Sequence, residues 1–239
     1  MGRRTTSAVI LTAVWLSLAG AAYAPASKAP PNDTHASPRT SVPVLLVPGW
    51  LDTARELAAL RIRLGAAGWS DVETLTFSDP TGGNRVHAAE IDSVVTEMLA
   101  RTGAREVDIV AHSMGGLATR WYLKTHPGAP VRRVVFIASP HRGTLSAVLA
   151  WGDGSDEMLP SSAFLDSLNR GPALPPGVRA MTIRTPVDTH IFPAASATLP
   201  GVPDHTVCCP THAGLLRDEE VFRLVSEFLE DVGLPSVAR

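Results

Sequence analysis

Charge is scarce in this chain and nowhere gathered. Lysine and arginine number 21 against 23 aspartate and glutamate, a formal net charge of −2. No block of like charge occurs, so a function driven by charge, nucleic-acid binding included, has no support. No internal repeat is visible, and the chain is not assembled from repeated units. Cysteine is nearly absent, with only the neighbours Cys208 and Cys209. What the chain does have is apolar material. A hydrophobic fraction of 45% against 18% charged is enough to bury a substantial core and argues against a disordered chain. Its 239 residues fit one domain with an N-terminal extension better than two full domains.

The extension has its own grammar. Arg3 and Arg4 give a positive start, Ala8 to Leu18 is largely apolar, and small residues follow from Ala19 to Ala24. This pattern predicts a secretory signal peptide over residues 1–24. The apolar stretch is short and interrupted by Thr, Ser and Gly, which favours a signal peptide over a membrane anchor. Ala22 and Ala24 form an A-x-A pair, but Pro25 suits a cleavage site poorly, and cuts after Ala21, Ala22 or Ala26 stay equally open. The Arg3-Arg4 pair hints at twin-arginine export, although its flanks add little. Residues 25–41 are rich in Pro, Ala and Ser without period, a flexible linker. The folded domain is expected over 42–239, and export places the protein outside the cell.

Along the domain, strand and helix signals alternate. Strands are predicted at Val42–Val47, Val72–Phe77, Val107–Ala111, Val131–Ala138 and Val178–Arg184, with a short final one at Thr206–Cys208. Thr53 and Glu56 have capping-box spacing ahead of Leu57, Leu60 and Leu64, and Gly65 and Gly68 stop that helix. Ile91, Val94, Val95 and Met98 mark a second helix that stops at Gly103. Gly115–Lys124 marks a third. Val221, Leu224, Val225, Phe228 and Leu229 share one face of a C-terminal helix, with Gly233 beyond its end. The region from Trp151 to Pro176 reads as loop around a short helix at Ser161–Asn169. Strands alternating with helices imply a parallel sheet covered on both faces.

The strongest chemical signal is Val107-Asp108-Ile109-Val110-Ala111-His112-Ser113-Met114-Gly115-Gly116. A serine hydroxyl is a weak nucleophile unless it is exposed on a sharp turn and given a base. A strand-to-helix elbow does this, and needs small residues two before and two after the serine. Ala111 and Gly115 fill those places. The Met114 N–H, at the start of the helix, points where an oxyanion would form. A second donor is expected from Pro48-Gly49-Trp50, with the Trp50 N–H as candidate. The Trp50 side chain is expected to wall an acyl pocket.

Seven histidines in the domain compete to be the base. His112 lies in the elbow, where its side chain is expected to point away from the hydroxyl. His212, on the loop before the C-terminal helix, is the candidate, with His205 in reserve. The acid should follow a strand and precede the base. Asp188, followed by a turn at Ile191 and Pro193, fits; Asp204 is the competitor and reads as a solvated loop residue.

Taken together, these residues resemble the small secreted bacterial lipases and esterases of the α/β-hydrolase superfamily. Further echoes are Pro140-His141-x-Gly143-Thr144, Phe164-Leu165-x-x-Leu168-Asn169 and His212-x-Gly214-Leu215-Leu216. The resemblance runs from Val42 to the last helix. It implies a minimal α/β-hydrolase: about six mostly parallel strands, helices on both faces, little or no lid. It also implies a Ser113–His212–Asp188 triad and an oxyanion hole of the Trp50 and Met114 amides. One departure is Pro48-Gly49 where such lipases carry His-Gly, which changes the support behind the hole and not its donors.

The expected function is hydrolysis of lipid (acylglycerol) or small esters through an acyl-enzyme on Ser113. No metal or cofactor is called for, and the partner is an ester substrate, met at a lipid–water interface; a monomer is expected. Acyl transfer to an alcohol would use the same residues, and a non-catalytic binding protein on this scaffold is the remaining reading. For Cys208 and Cys209, an even count in an exported protein suggests oxidation, whereas a bond between neighbours forces a strained ring. Two free buried thiols are the alternative.

Overall fold

The computed structural model describes residues 42–230. The expected signal peptide, its cleavage sites, the linker and Gly233 lie outside the described residues. Six strands form one sheet in the order β2-β1-β3-β4-β5-β6, all parallel. They are β1 (Val44–Val47), β2 (Val72–Thr74), β3 (Val107–His112), β4 (Val131–Ile137), β5 (Arg179–Arg184) and β6 (Asp204–Thr206). The helices are α1 (Ala58–Ala66), α2 (Asn84–Thr102), α3 (Gly115–Thr125), α4 (Asp153–Met158), α5 (Ala163–Leu168) and α6 (Glu219–Glu230). This is the α/β architecture that alternating periodicities imply.

Strand pleating divides the core in two. Val44, Leu46, Val110, Val135 and Ile183 face α1 and α6 through Leu60, Leu64, Val221 and Val225. Leu45, Val47, Ile109, Ala111 and Phe136 face α2 and α3 through Ile91, Val95, Ala118 and Tyr122. Successive residues of β1 thus enter opposite layers, so the strand reads as a continuous apolar run rather than an alternating one. The chain runs from β1 outward to β2, then returns past β1 to β3. Between β1 and β3 lies the switch point at which open parallel sheets place their ligands.

Several expected boundaries move. Thr53 and Glu56 do bond, N–H to carboxylate at 2.8 Å and hydroxyl to carboxylate at 2.7 Å, but on a turn five residues ahead of α1. Gly65 lies inside α1, and Gly68, with φ +104°, follows the Ala67 cap two residues past its end. The second strand stops at Thr74, although the Leu75 N–H still donates to the Leu46 carbonyl, 3.0 Å. The last strand is Asp204–Thr206, not Thr206–Cys208: pairing with β5 sets it, and Thr182 and Arg184 hold the Asp204 carboxylate at 2.8 and 2.9 Å. Asp204 is therefore a strand residue with two partners. The loop expected from Trp151 contains α4, whose Glu157 receives the Asn84 N–H at the start of α2. A short helix held by tertiary contacts of this kind has too few residues to show a period.

The elbow-bearing strand is pinned at its base by Asp108. This carboxylate is wholly buried, accepts from Arg132 Nε at 3.0 Å, and lies 4.0 Å from Arg133. Burial raises its pKa, the arginines opposing. Asp108→Ala strands two cations at the edge of the core, and should cost roughly 3 kcal/mol of stability. Urea unfolding checks this, through a lower midpoint at unchanged slope.

Candidate active site

Ser113 follows β3 directly, and its backbone is in the left-handed region, φ +51°. Its N–H donates to the Ile137 carbonyl, 2.8 Å, which ties the turn to β4. α3 begins two residues later. The glycines show why the turn needs small residues. A Cβ on Gly115 would stand 2.3 Å from the Pro48 carbonyl, and one on Gly116 would stand 2.0 Å from Ser139 Oγ. Gly49 is equally constrained, since a Cβ there would lie 2.8 Å from both Ser113 Cβ and Asp52 Oδ2. The loop after β1 is therefore pressed against the elbow, backbone on side chain.

That loop and the elbow supply two amides. Among the described residues neither the Trp50 nor the Met114 N–H donates to any acceptor in the chain. Met114 itself is wholly buried, and its helix adds the positive end of the α3 dipole. Leu51 also has positive φ, +57°, and is held there by its N–H on the Pro80 carbonyl, 3.1 Å. Left-handed backbone on bulky residues clusters where a site needs it. The Trp50 ring borders the cleft and packs edge-on to Trp151, centroids 4.9 Å apart, with its Nε1 donating to the Trp151 carbonyl.

His212 stands just ahead of a 3-10 turn at Ala213–Arg217, and its Nδ1 lies 2.8 Å from Asp188 Oδ2. Asp188 Oδ1 receives the N–H groups of His190 and Ile191 at 2.8 and 2.9 Å. Asp204, by contrast, is engaged on β6. Burial would raise the Asp188 pKa, but the His212 bond and these amides hold it below the usual carboxylate value. Burial pushes the His212 imidazole below its usual 6.5, with the Asp188 bond opposing and the nearby His112 adding to the fall. Ser113 and His212 line one cleft of about 460 Å³, together with Trp50, Leu149 and Ile191. Their side chains are not hydrogen-bonded to each other, as is common before substrate tightens such contacts. His205 lies on β6, and the cleft does not include it.

One expected orientation fails, and Asp52 and His190 join the site without having been singled out by sequence. His112 does not turn away from the site: its ring is 4.7 Å from the His212 ring, and its Nδ1 lies 2.7 Å from Asp52 Oδ2. The same Asp52 oxygen accepts the Gly49 N–H at 3.1 Å. One carboxylate thus ties the amide-bearing loop to the elbow. The Asp52 N–H closes a turn on the Gly49 carbonyl, 3.2 Å, but Gly-x-x-Asp reverses the usual order of turn residues, so residue order carried no signal for it. His190 is exposed, and its ring stacks on His212 at 4.8 Å. Ligand atoms of Asp188, His190 and His212 lie within 4.8 Å of one another, but the Asp188 oxygens are already engaged by three donors. Cys208 and Cys209 are joined to each other across a cis peptide bond, three residues before His212.

The fold is that of an α/β hydrolase. Residues 64–174 match the family described as alpha/beta hydrolase fold. By sequence the chain is similar to a triacylglycerol lipase of Burkholderia plantarii, 30% identical over 135 residues, covering 53% of this chain and 36% of that one. By structure it is similar to Aspergillus fumigatus lipase B, TM-score 0.71 and 22% identity over 81% of this chain and 53% of that one. It is also similar to mature Bacillus licheniformis lipase BlEst2, TM-score 0.68 and 16% identity over 81% and 94%. At these identities the solved structures speak to the fold alone. The chain spans about a third of the length of the Burkholderia relative.

If Asp52 positions the loop, Asp52→Ala should lower kcat on an ester by roughly 10- to 100-fold, short of losing one oxyanion donor outright. KM should stay nearly constant if the Trp50 amide serves as an oxyanion donor, since such a donor binds the developing charge and not the ground state. Asp52→Asn, which keeps an acceptor for Gly49, should recover part of the loss. Steady-state kinetics with a short-chain ester separates the two parameters.

Proposed function

We propose that this protein is an exported serine hydrolase that cleaves carboxylic esters through an acyl-enzyme on Ser113. The observation that carries the reading is the His212–Asp188 hydrogen bond facing Ser113 across one cleft, at the switch point of the sheet. In this reading Ser113 Oγ attacks the ester carbonyl and its proton passes to His212 Nε2, the nitrogen left over by the Asp188 bond. The new oxyanion takes the Trp50 and Met114 N–H groups. The C–O bond breaks, and the alcohol departs with the proton held by His212. Water then attacks the acyl group by the same route and releases the acid. Asp188 holds the tautomer and stabilises the imidazolium.

Lipid esters are the substrate class we favour. Leu51 and Leu149 line the cleft and are exposed; Trp151, also exposed, packs on the cleft residue Trp50, and exposed Leu145, Val148 and Phe192 are chain neighbours of other lining residues. Leu149 is 85% exposed. Exposed apolar side chains on and around a cleft suit a lipid–water interface better than a dilute polar ester. The Burkholderia relative is named a triacylglycerol lipase, which agrees with this choice. Export rests on the Arg3-Arg4 start and the apolar run behind it.

A chain-length series of p-nitrophenyl esters tests the assignment. Ser113→Ala should lose about 10³-fold or more in kcat. Asp188→Asn should cripple turnover while Asp204→Asn leaves it nearly intact; the reverse result would move the acid to Asp204. The pH profile supplies a second check. His212 must be neutral to accept the proton, and burial depresses its pKa. The rate should therefore be full at neutral pH, with an acid limb of kcat/KM whose midpoint falls below 6.5.

A further inference from the structure

Away from the cleft, a second recess of about 390 Å³ opens beside α3 and the segment that follows β4. Its lining includes Arg120, His141, Arg142, Asn169 and Leu199, none of which borders the cleft. His141 and Asn169 come from the two sequence echoes that the ester chemistry leaves unused.

The polar groups here are unbalanced. Arg120 is 2% exposed, and its guanidinium donates to Asn169 Oδ1 at 3.0 Å and to the Ala173 carbonyl at 3.4 Å. Arg142 donates to the Ala195 carbonyl and to Thr198 Oγ1. Among the described residues no carboxylate pairs with either, whereas Arg132 and Arg184 each hold an aspartate. Burial pulls the Arg120 pKa down to about 10, with no acid to offset it. His141 is wholly buried, and neither ring nitrogen has a partner. Burial and then the charges of Arg120 and Arg142, which line the same recess, hold that imidazole well below its usual pKa. A buried cation without a counter-charge is costly, and so is a buried imidazole without a hydrogen bond. One anion relieves both costs, since a guanidinium fork matches the paired oxygens of a carboxylate or phosphate.

We propose that the recess formed by Arg120, His141, Arg142 and Asn169 binds an oxyanion, a carboxylate or a phosphate, at a site separate from Ser113. The anion takes N–H donors from the two guanidinium groups, and His141 donates from the ring nitrogen that carries its proton. An adjoining cavity of about 140 Å³ shares Arg120 and Ala173 with the recess and is walled by Leu123, Leu168 and Leu174. A carboxylate with a short apolar tail has somewhere to lay it.

The test is thermal unfolding and titration calorimetry of the whole protein with inorganic phosphate, acetate or hexanoate, each against chloride at equal ionic strength. At saturation an oxyanion should raise Tm by about 2–4 °C above chloride, with one site per chain. Phosphate leading the series identifies a phosphate site; hexanoate leading it identifies an acyl carboxylate site. Arg142→Gln, at an exposed position, should abolish most of the shift, and Arg120→Lys should weaken it by losing the fork. Ser113→Ala should keep the shift in full while losing ester turnover, which separates this site from the proposed hydrolysis. No shift beyond chloride, or an equal shift in Arg142→Gln, would overturn the proposal. If Arg120→Lys does not fold, Arg142→Gln decides alone.

Discussion

A serine with φ +51° sits where an L-residue with a Cβ loses roughly 1–2 kcal/mol, and the segments packed around the elbow hold it there. β3 delivers it, the Ile137 carbonyl catches its N–H, and α3 starts before the chain can relax. The room for this turn comes from glycine. Gly115 passes under the Pro48 carbonyl and Gly116 beside Ser139, where no side chain would fit. The strain is local, but its support is drawn from β1, β3 and β4 together.

Two histidine–aspartate pairs then stand side by side with different surroundings. His212 and Asp188 are both buried, and the acid is anchored by backbone amides of its own loop. His112 and Asp52 stand beside them with the acid partly exposed, and that acid is anchored by Gly49. In the proposed mechanism the first pair moves the proton. The second has a fully buried imidazole whose Nε2 meets no partner, and it joins the loop that carries the Trp50 amide to the turn that carries the Met114 amide. One carboxylate thus links loop and elbow, a connection that the proposed charge stabilisation would use.

Polarity is distributed around this centre with some economy. Exposed apolar side chains lie on and around the cleft, while the buried arginines are gathered elsewhere, at Asp108 below β3 and at the recess next to His141. The Asp108 cluster is balanced by its own carboxylate. The recess is not, which sets it apart from the remainder of the interior.

Much of this was legible in residue order. The parallel sheet followed from apolar runs separated by helical periods, and the elbow from small residues two before and two after Ser113. Those signals are local, because pleat, helical turn and steric bulk act over a few residues. Edges were less legible. The final strand lies two residues earlier than its apolar letters suggested, since pairing with β5, and not hydropathy, chose Asp204–Thr206. α4 gave no period at all. Asp52 and His112 are 60 residues apart, and no spacing rule joins them.

By itself the amino-acid order determined the fold class and named the side chains able to do acid–base and nucleophilic chemistry. Only the tertiary structure decided that Asp188 meets His212, that His112 turns to Asp52, and that Arg120 is buried without a counter-charge. Contact between distant segments depends on how helices and strands pack, and packing is a property of the whole chain rather than of any window within it.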